Sequence, residues 1–98
     1  MAKGTAIPHI DNERVKVTEW RLPPGASTER HSHPYDFVVL PLTTGKLRVE
    51  TGQEGAEGID VELEAGRPFY SDAGAEHDVT NNNESEFVFV EFEVKRPS

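Results

Sequence analysis

His31 and His33 stand one residue apart around Ser32, and a β-strand turns alternate side chains to the same face. A strand through this segment therefore aims two imidazoles at one point. At neutral pH imidazole largely offers a nitrogen lone pair, so a third donor would complete a site for Zn, Fe, Ni, Mn or Cu. His77 is the candidate. It follows Asp72-Ala73-Gly74-Ala75-Glu76, a turn that ends one strand and begins another, so a neighbouring strand can carry its ring toward the pair. The competing reading is a His-Ser-His exposed on an edge strand with no ligand role. His9, beside Pro8 in the N-terminal arm, is expected to be neither ligand nor catalyst. The chain has no cysteine, so disulfides, thiolate nucleophiles and zinc ribbons are excluded.

Positioning three imidazoles is a task for strands. Glycine, proline and asparagine recur at short intervals, at Pro23-Pro24-Gly25, Thr44-Gly45-Lys46, Gly52 to Gly58, Ala65-Gly66, Gly74 and Asn81-Asn82-Asn83. The segments between them are too short for ordinary helices and rich in Val, Phe, Thr, Ile and Leu. Several alternate, as in Leu47/Val49, Ile59/Val61/Leu63 and Val88/Val90/Phe92/Val94 opposite Glu91 and Glu93, which is strand periodicity. An all-β sandwich or barrel is expected. Eight strands are predicted, at 14–22, 27–33, 36–42, 46–51, 59–64, 69–71, 77–80 and 86–95. Lys46 and Arg48 should point outward, and Gly25, Gly45, Gly66 and Gly74 should mark tight turns. Trp20 is expected in the core or in a dimer interface.

With 98 residues the chain has room for one domain and one core. A formal net charge of −8 argues against nucleic acid as a partner. No stretch approaches a membrane span and the N-terminus carries no apolar signal region, so a soluble, cytoplasmic protein is expected. Phe37-Val38-Val39-Leu40 is apolar without interruption, and Phe87 and Phe89 lie opposite the Val88/Val90 face. Something must cover the second face, and a symmetric homodimer through an outer sheet face is the simplest cover.

At the histidines the chain resembles a small single-domain cupin of the RmlC-like type. The first cupin motif is matched by Gly25, five residues, His31-Ser32-His33 and a closing Gly45, although its Glu position falls on Phe37 or Val38. The second is matched by Gly66, Gly74, His77 and Asn81 in register, with Asp72 in place of the motif proline. The resemblance, from about residue 25 to 45 and 66 to 81, implies a double-stranded β-helix, or jelly-roll barrel, as one domain over 1–98. It also implies His31, His33 and His77 as the ligands of a divalent transition metal (Fe, Ni, Zn or Mn), with nothing at the Glu position. Such a three-histidine set is similar to the sites of thiol dioxygenases. The fourth position would fall to water or to Asp36. Strict alternation turns Asp36 away from the site, and a bulge at Pro34 would bring it in. The segment from Val17 to Pro41 is also similar to small cupins associated with β-alanine and related amine degradation.

The function expected is a metal-binding cupin that takes a small polar or carboxylate ligand, as an oxygen-dependent oxidoreductase or a metal-dependent isomerase or lyase. The alternatives are a non-catalytic ligand-binding or sensor cupin and a structural cupin without functional metal. No catalytic residue is assigned. Tyr35, Glu29 and Glu76 are candidates for supporting or acid/base roles, and Asp72, Glu76 and Asp78 for orienting the second nitrogen of His77. Leu47, Val49, Ile59, Val61, Val79 and Phe37 or Val38 should line the cavity.

Overall fold

The computed structural model describes residues 3–51, 58–74 and 76–95. Among these the chain is all β: β1 (Thr5–Asp11), β2 (Val15–Leu22), β3 (His31–Ser32), β4 (Asp36–Pro41), β5 (Gly45–Thr51), β6 (Ile59–Leu63), β7 (Phe69–Ser71), β8 (Glu76–Asn81) and β9 (Phe87–Val94). They form two antiparallel sheets, one in the order β1-β2-β9-β4-β7 and the other in the order β3-β8-β5-β6. The turn expected at Gly52 to Gly58 lies, but for Gly58, outside the described residues.

Two elements differ from the sequence-based expectation. Strand β1 adds to the predicted eight, pairing with β2 at the sheet edge with a register shift between Pro8 and Ile10. The edge is where a strand tolerates a proline. The strand predicted over 27–33 shrinks to His31–Ser32, with Ser27 forming only isolated bridges to Lys3 and Thr80. Glu29 interrupts it, because its φ of 64° is left-handed and incompatible with an extended run.

Register decides which face looks inward. Leu22, Trp20, Thr18 and Lys16 of β2 pair with Phe87, Phe89, Glu91 and Glu93 of β9, and β9 in turn sets Phe89, Glu91 and Glu93 beside Pro41, Val39 and Phe37 of β4. Opposed residues of an antiparallel pair share a face, so this whole set lines the interior. Phe87 and Phe89 are therefore core residues, buried with Leu22, Phe37, Val39 and Leu47, and they need no partner to cover them. The argument for a dimer drawn from these two phenylalanines fails. The outward face of β9 is the one that reads as uniformly apolar, Val88, Val90, Phe92 and Val94, while Glu91 and Glu93 are buried at 6% and 8% exposure.

The motif residues brace this frame. Gly74, with φ 94°, permits a turn whose amide donates to the carbonyl of His33 at 2.8 Å, tying the start of β8 to the histidine loop. Gly45 answers a different need, since a Cβ there would meet the Asn83 side chain at 3.1 Å and the Phe87 ring at 3.2 Å. Asn81 is fully buried, and its amide nitrogen donates to the carbonyls of Leu22 at 2.7 Å and Ser85 at 2.9 Å. Its oxygen accepts from the backbone amide of Asn83 at 2.9 Å. This residue is a structural clamp, with its polar atoms satisfied as burial requires.

Candidate metal centre

Strands β3 and β8 pair so that His31 stands directly opposite His77, and β8 is held on its other side by β5. The imidazole of His33, just past β3, closes the triangle. Its Nε2 lies 3.1 Å from Nε2 of His77, which lies 3.1 Å from Nε2 of His31. The three histidines expected from the sequence thus converge through one ring nitrogen each.

A fourth donor arrives from the other sheet. The Glu91 carboxylate, on β9, approaches His33 Nε2 at 3.4 Å, and the donor atoms of His31, His33, His77 and Glu91 all lie within 4.8 Å of one another. Sequence reasoning missed this residue. The first motif lacks its Glu at Phe37 or Val38, yet β4 pairs with β9 so that Val39 faces Glu91, and the neighbouring strand supplies the carboxylate from across the ladder. Asp36 does not. It sits on the outward face of β4, where its Oδ1 accepts the amide of Ala73 at 2.9 Å, and no bulge turns it inward.

Partners around the cluster fix how each ring presents itself. A carbonyl oxygen only accepts, so the 2.9 Å contact between His31 Nδ1 and the carbonyl of Glu29 places the proton on Nδ1 and leaves Nε2 as a lone pair in the neutral ring. The left-handed turn at Glu29 is what aims that carbonyl. The carboxylate of Glu93 likewise accepts from His33 Nδ1 at 3.1 Å. Trp20 stacks on His31 with ring centroids 5.8 Å apart, and its indole Nε1 donates to Glu91 Oε1 at 2.9 Å. That bond leaves Oε2 of Glu91 facing the histidines. Trp20 thus packs against the core, as expected, and at the same time holds a site carboxylate.

Electrostatics follow the same geometry. Burial opposes charge on His33, but the hydrogen bonds and charges of Glu91 and Glu93 outweigh it and hold its pKa above the ordinary histidine value. Burial also opposes ionisation of Glu91, and there His33, His31 and Trp20 prevail, lowering the pKa. His77 is pushed down to about 4, first by burial and then by the like charges of His31 and His33. A neutral His77 and an ionised Glu91 are the protonation states in which metal ligands bind. Three imidazole nitrogens and a carboxylate oxygen within 4.8 Å of one another are a donor set that a single cation would satisfy.

The remaining candidates serve elsewhere. The Glu76 side chain pairs with Arg30 at 3.0 Å, and the Glu29 side chain lies 3.6 Å from Lys3. Asp72 acts on Tyr70, whose pKa it raises, and Oδ1 of Asp78 is buried with no hydrogen-bond partner among the described residues. None of these contacts is to the second nitrogen of His77. Tyr35 lines neither of the cavities that flank the histidines. His9 pairs with Glu19 at 2.9 Å in an exposed position and is not part of the cluster.

The cluster separates two cavities. One, about 360 Å³, is bordered by Lys16, Thr18, Trp20, His31, His33 and Glu93. The other, about 240 Å³, lies between β6 and β7, which are edge strands of their sheets, and is lined by Phe37, Leu47, Val49, Val61 and Val79 with His77 and Glu91 at one end. Glu91 borders both. Ile59, expected in the wall, is 62% exposed instead, and Val38 faces outward.

Two antiparallel sheets closing on a His-x-His pair, a third histidine and an interior carboxylate define a small cupin barrel. The chain belongs to the cupin family: residues 18–93 match the model described as "Cupin domain". It is 49% identical over 92 residues, covering 92% of this chain and 94% of the relative, to the β-alanine degradation protein BauB of Pseudomonas aeruginosa. It is 29% identical over 81 residues, 83% of this chain and 63% of the relative, to an oxalate-binding protein of Thermotoga maritima. Among solved structures, a cupin domain from Bordetella pertussis Tohama I superposes with a TM-score of 0.91 at 45% identity, covering 97% of this chain and 96% of that one. No helix among the described residues is long and apolar enough to cross a membrane.

Proposed function

We propose that this cupin holds one divalent transition metal, Fe, Ni, Zn or Mn, through His31, His33, His77 and Glu91, and binds a small carboxylate at the coordination positions left open. The observation that carries the reading is the convergence of four donor atoms within 4.8 Å, with the Nδ1 protons of His31 and His33 already committed to oxygen acceptors. A bound metal would supply Lewis-acid polarisation of a carbonyl or, as Fe(II), oxygen-dependent oxidation. The residues around it bind and orient: Trp20 holds one oxygen of Glu91, Glu93 and the Glu29 carbonyl set the ring planes, and an apolar wall borders the His77 side. Glu91 weakens the likeness to thiol dioxygenases, which rested on a three-histidine set without a carboxylate. The relative named for binding oxalate favours a second reading, a ligand-binding cupin without turnover.

Elemental analysis of untagged protein, purified without chelator from cells supplied with all four metals, is expected to give close to one equivalent; less than about a tenth of an equivalent of any of them would sink the proposal. A cytoplasmic location belongs to the same reading.

The homodimer is also a proposal, on a different face from the one first expected. Val94, Ile10 and Tyr70, at 48%, 45% and 59% exposure, lie on the outer side of the five-stranded sheet with Val38, Val90 and Phe92. An apolar face of this kind suits a self-complementary contact. Sedimentation at micromolar concentration is expected to give twice the mass of the 10.9 kDa chain, and a monomer would overturn the assignment.

A further inference from the structure

The 240 Å³ chamber on the His77 side of the cluster carries information about what the site takes. Among the described residues its polar groups are His77 and Glu91, both at the candidate metal, and Ser71; every other described lining residue is apolar. Among the described residues, no cationic side chain and no second carboxylate lines it. A second charged group on a ligand would therefore be stripped of water here and given no partner, which is strongly unfavourable. A ligand that fills the chamber has one polar end and an apolar body.

Size and access point the same way. The volume corresponds to about eight waters, enough for a ligand with an aliphatic body of about four carbons. Leu63 and Phe69 at the rim also border a wider depression of about 810 Å³, so the chamber opens to the exterior between β6 and β7, and Phe69 is 42% exposed there. The two rim residues are apolar, while the depression outside them also carries Lys46, Glu62, Glu64 and Arg67.

Resting on the metal-binding reading above, we propose that the ligand is a short monocarboxylate whose chelating head lies at His77 and Glu91 and whose aliphatic body occupies this chamber. Small doubly charged molecules are disfavoured by the same wall. The inference runs against the ligands suggested by the names of the relatives, since oxalate has no apolar body and β-alanine carries an ammonium group at the end that would enter the wall.

The test is calorimetric titration of protein loaded with one equivalent of Zn(II), using pyruvate, 2-oxobutanoate, 4-methyl-2-oxopentanoate and β-alanine as probes. Affinity is expected to rise about fourfold for each carbon added to the 2-oxo acid, with β-alanine the weakest of the four. A flat or falling series, or β-alanine binding as tightly as 4-methyl-2-oxopentanoate, would overturn the proposal. Val61→Phe, which fills the chamber from β6, should erase most of the advantage of 4-methyl-2-oxopentanoate over pyruvate; an undiminished advantage would place the ligand elsewhere. Zinc content is measured on the same samples. Absence of zinc means that the metal-binding reading has failed, whereas full zinc with a flat series means that only the ligand assignment has.

Discussion

His77→Ala is expected to reduce bound metal to below about a tenth of the wild-type content and to remove the response of the protein to chelators. In the proposed site His77 would be the most consequential ligand, because its Nε2 is 3.1 Å from each of the other two imidazoles; without it His31 and His33 no longer share this common neighbour. Its backbone sits in β8 between β3 and β5, so the strand should survive loss of the ring. A metal present at about a hundred times its Kd stabilises the folded state by about 2.7 kcal/mol. For a domain of this size that is a shift on the order of 10 to 20 °C in Tm. Wild-type protein should lose that increment on chelation, while His77→Ala should melt at one temperature with or without chelator. Full metal retention by the variant would remove His77 from the ligand set.

The second large effect separates two buried glutamates that the sequence does not distinguish. Glu91→Gln is expected to weaken metal binding by more than about a hundredfold, and Glu93→Gln by about ten- to a hundredfold. Glu91 presents Oε2 to the cluster while Trp20 holds Oε1; glutamine keeps an oxygen for the indole but removes the charge. Glu93 touches His33 only at Nδ1, the nitrogen turned away from the other two rings, so in the proposed site it would orient a ligand and not act as one. Competition with a chelator measures both constants. Trp20 is the single tryptophan of the chain and stacks on His31, so its fluorescence reports the same titration. An effect of Glu93→Gln larger than that of Glu91→Gln would reverse the assigned roles.

Much of the site was legible because local rules govern it. His31 and His33 are two residues apart and the spacing from Gly66 to Asn81 follows a known pattern, so the three imidazoles were found without tertiary information. Glu91 was hidden by an ambiguity in alternation. In Phe87-Val88-Phe89-Val90-Glu91-Phe92-Glu93-Val94 the uninterrupted apolar face is the valine side, which hydrophobic patterning assigns to the core. The interior instead takes the face that begins with two aromatics and ends with two carboxylates, because the aromatics fill the barrel and the carboxylates meet histidine and indole donors. The empty Glu position at Phe37 or Val38 was the available signal, but using it required knowing that β9 lies beside β4. Strand β1 was missed for a related reason: Pro8 and His9 interrupt its pattern, and only an edge position accommodates them.

The four donors do not belong to one layer. His31 and His77 come from the four-stranded sheet and Glu91 from the five-stranded one, so a bound cation would rivet the two halves of the barrel together. Segments of a fold ordinarily open in separate cooperative units. Metal ligation would merge β3, β8 and β9 into one, slowing amide exchange in all three together. A chain with no cysteine would thereby gain, through a reversible ion, the cross-link that other small domains obtain from a covalent bond.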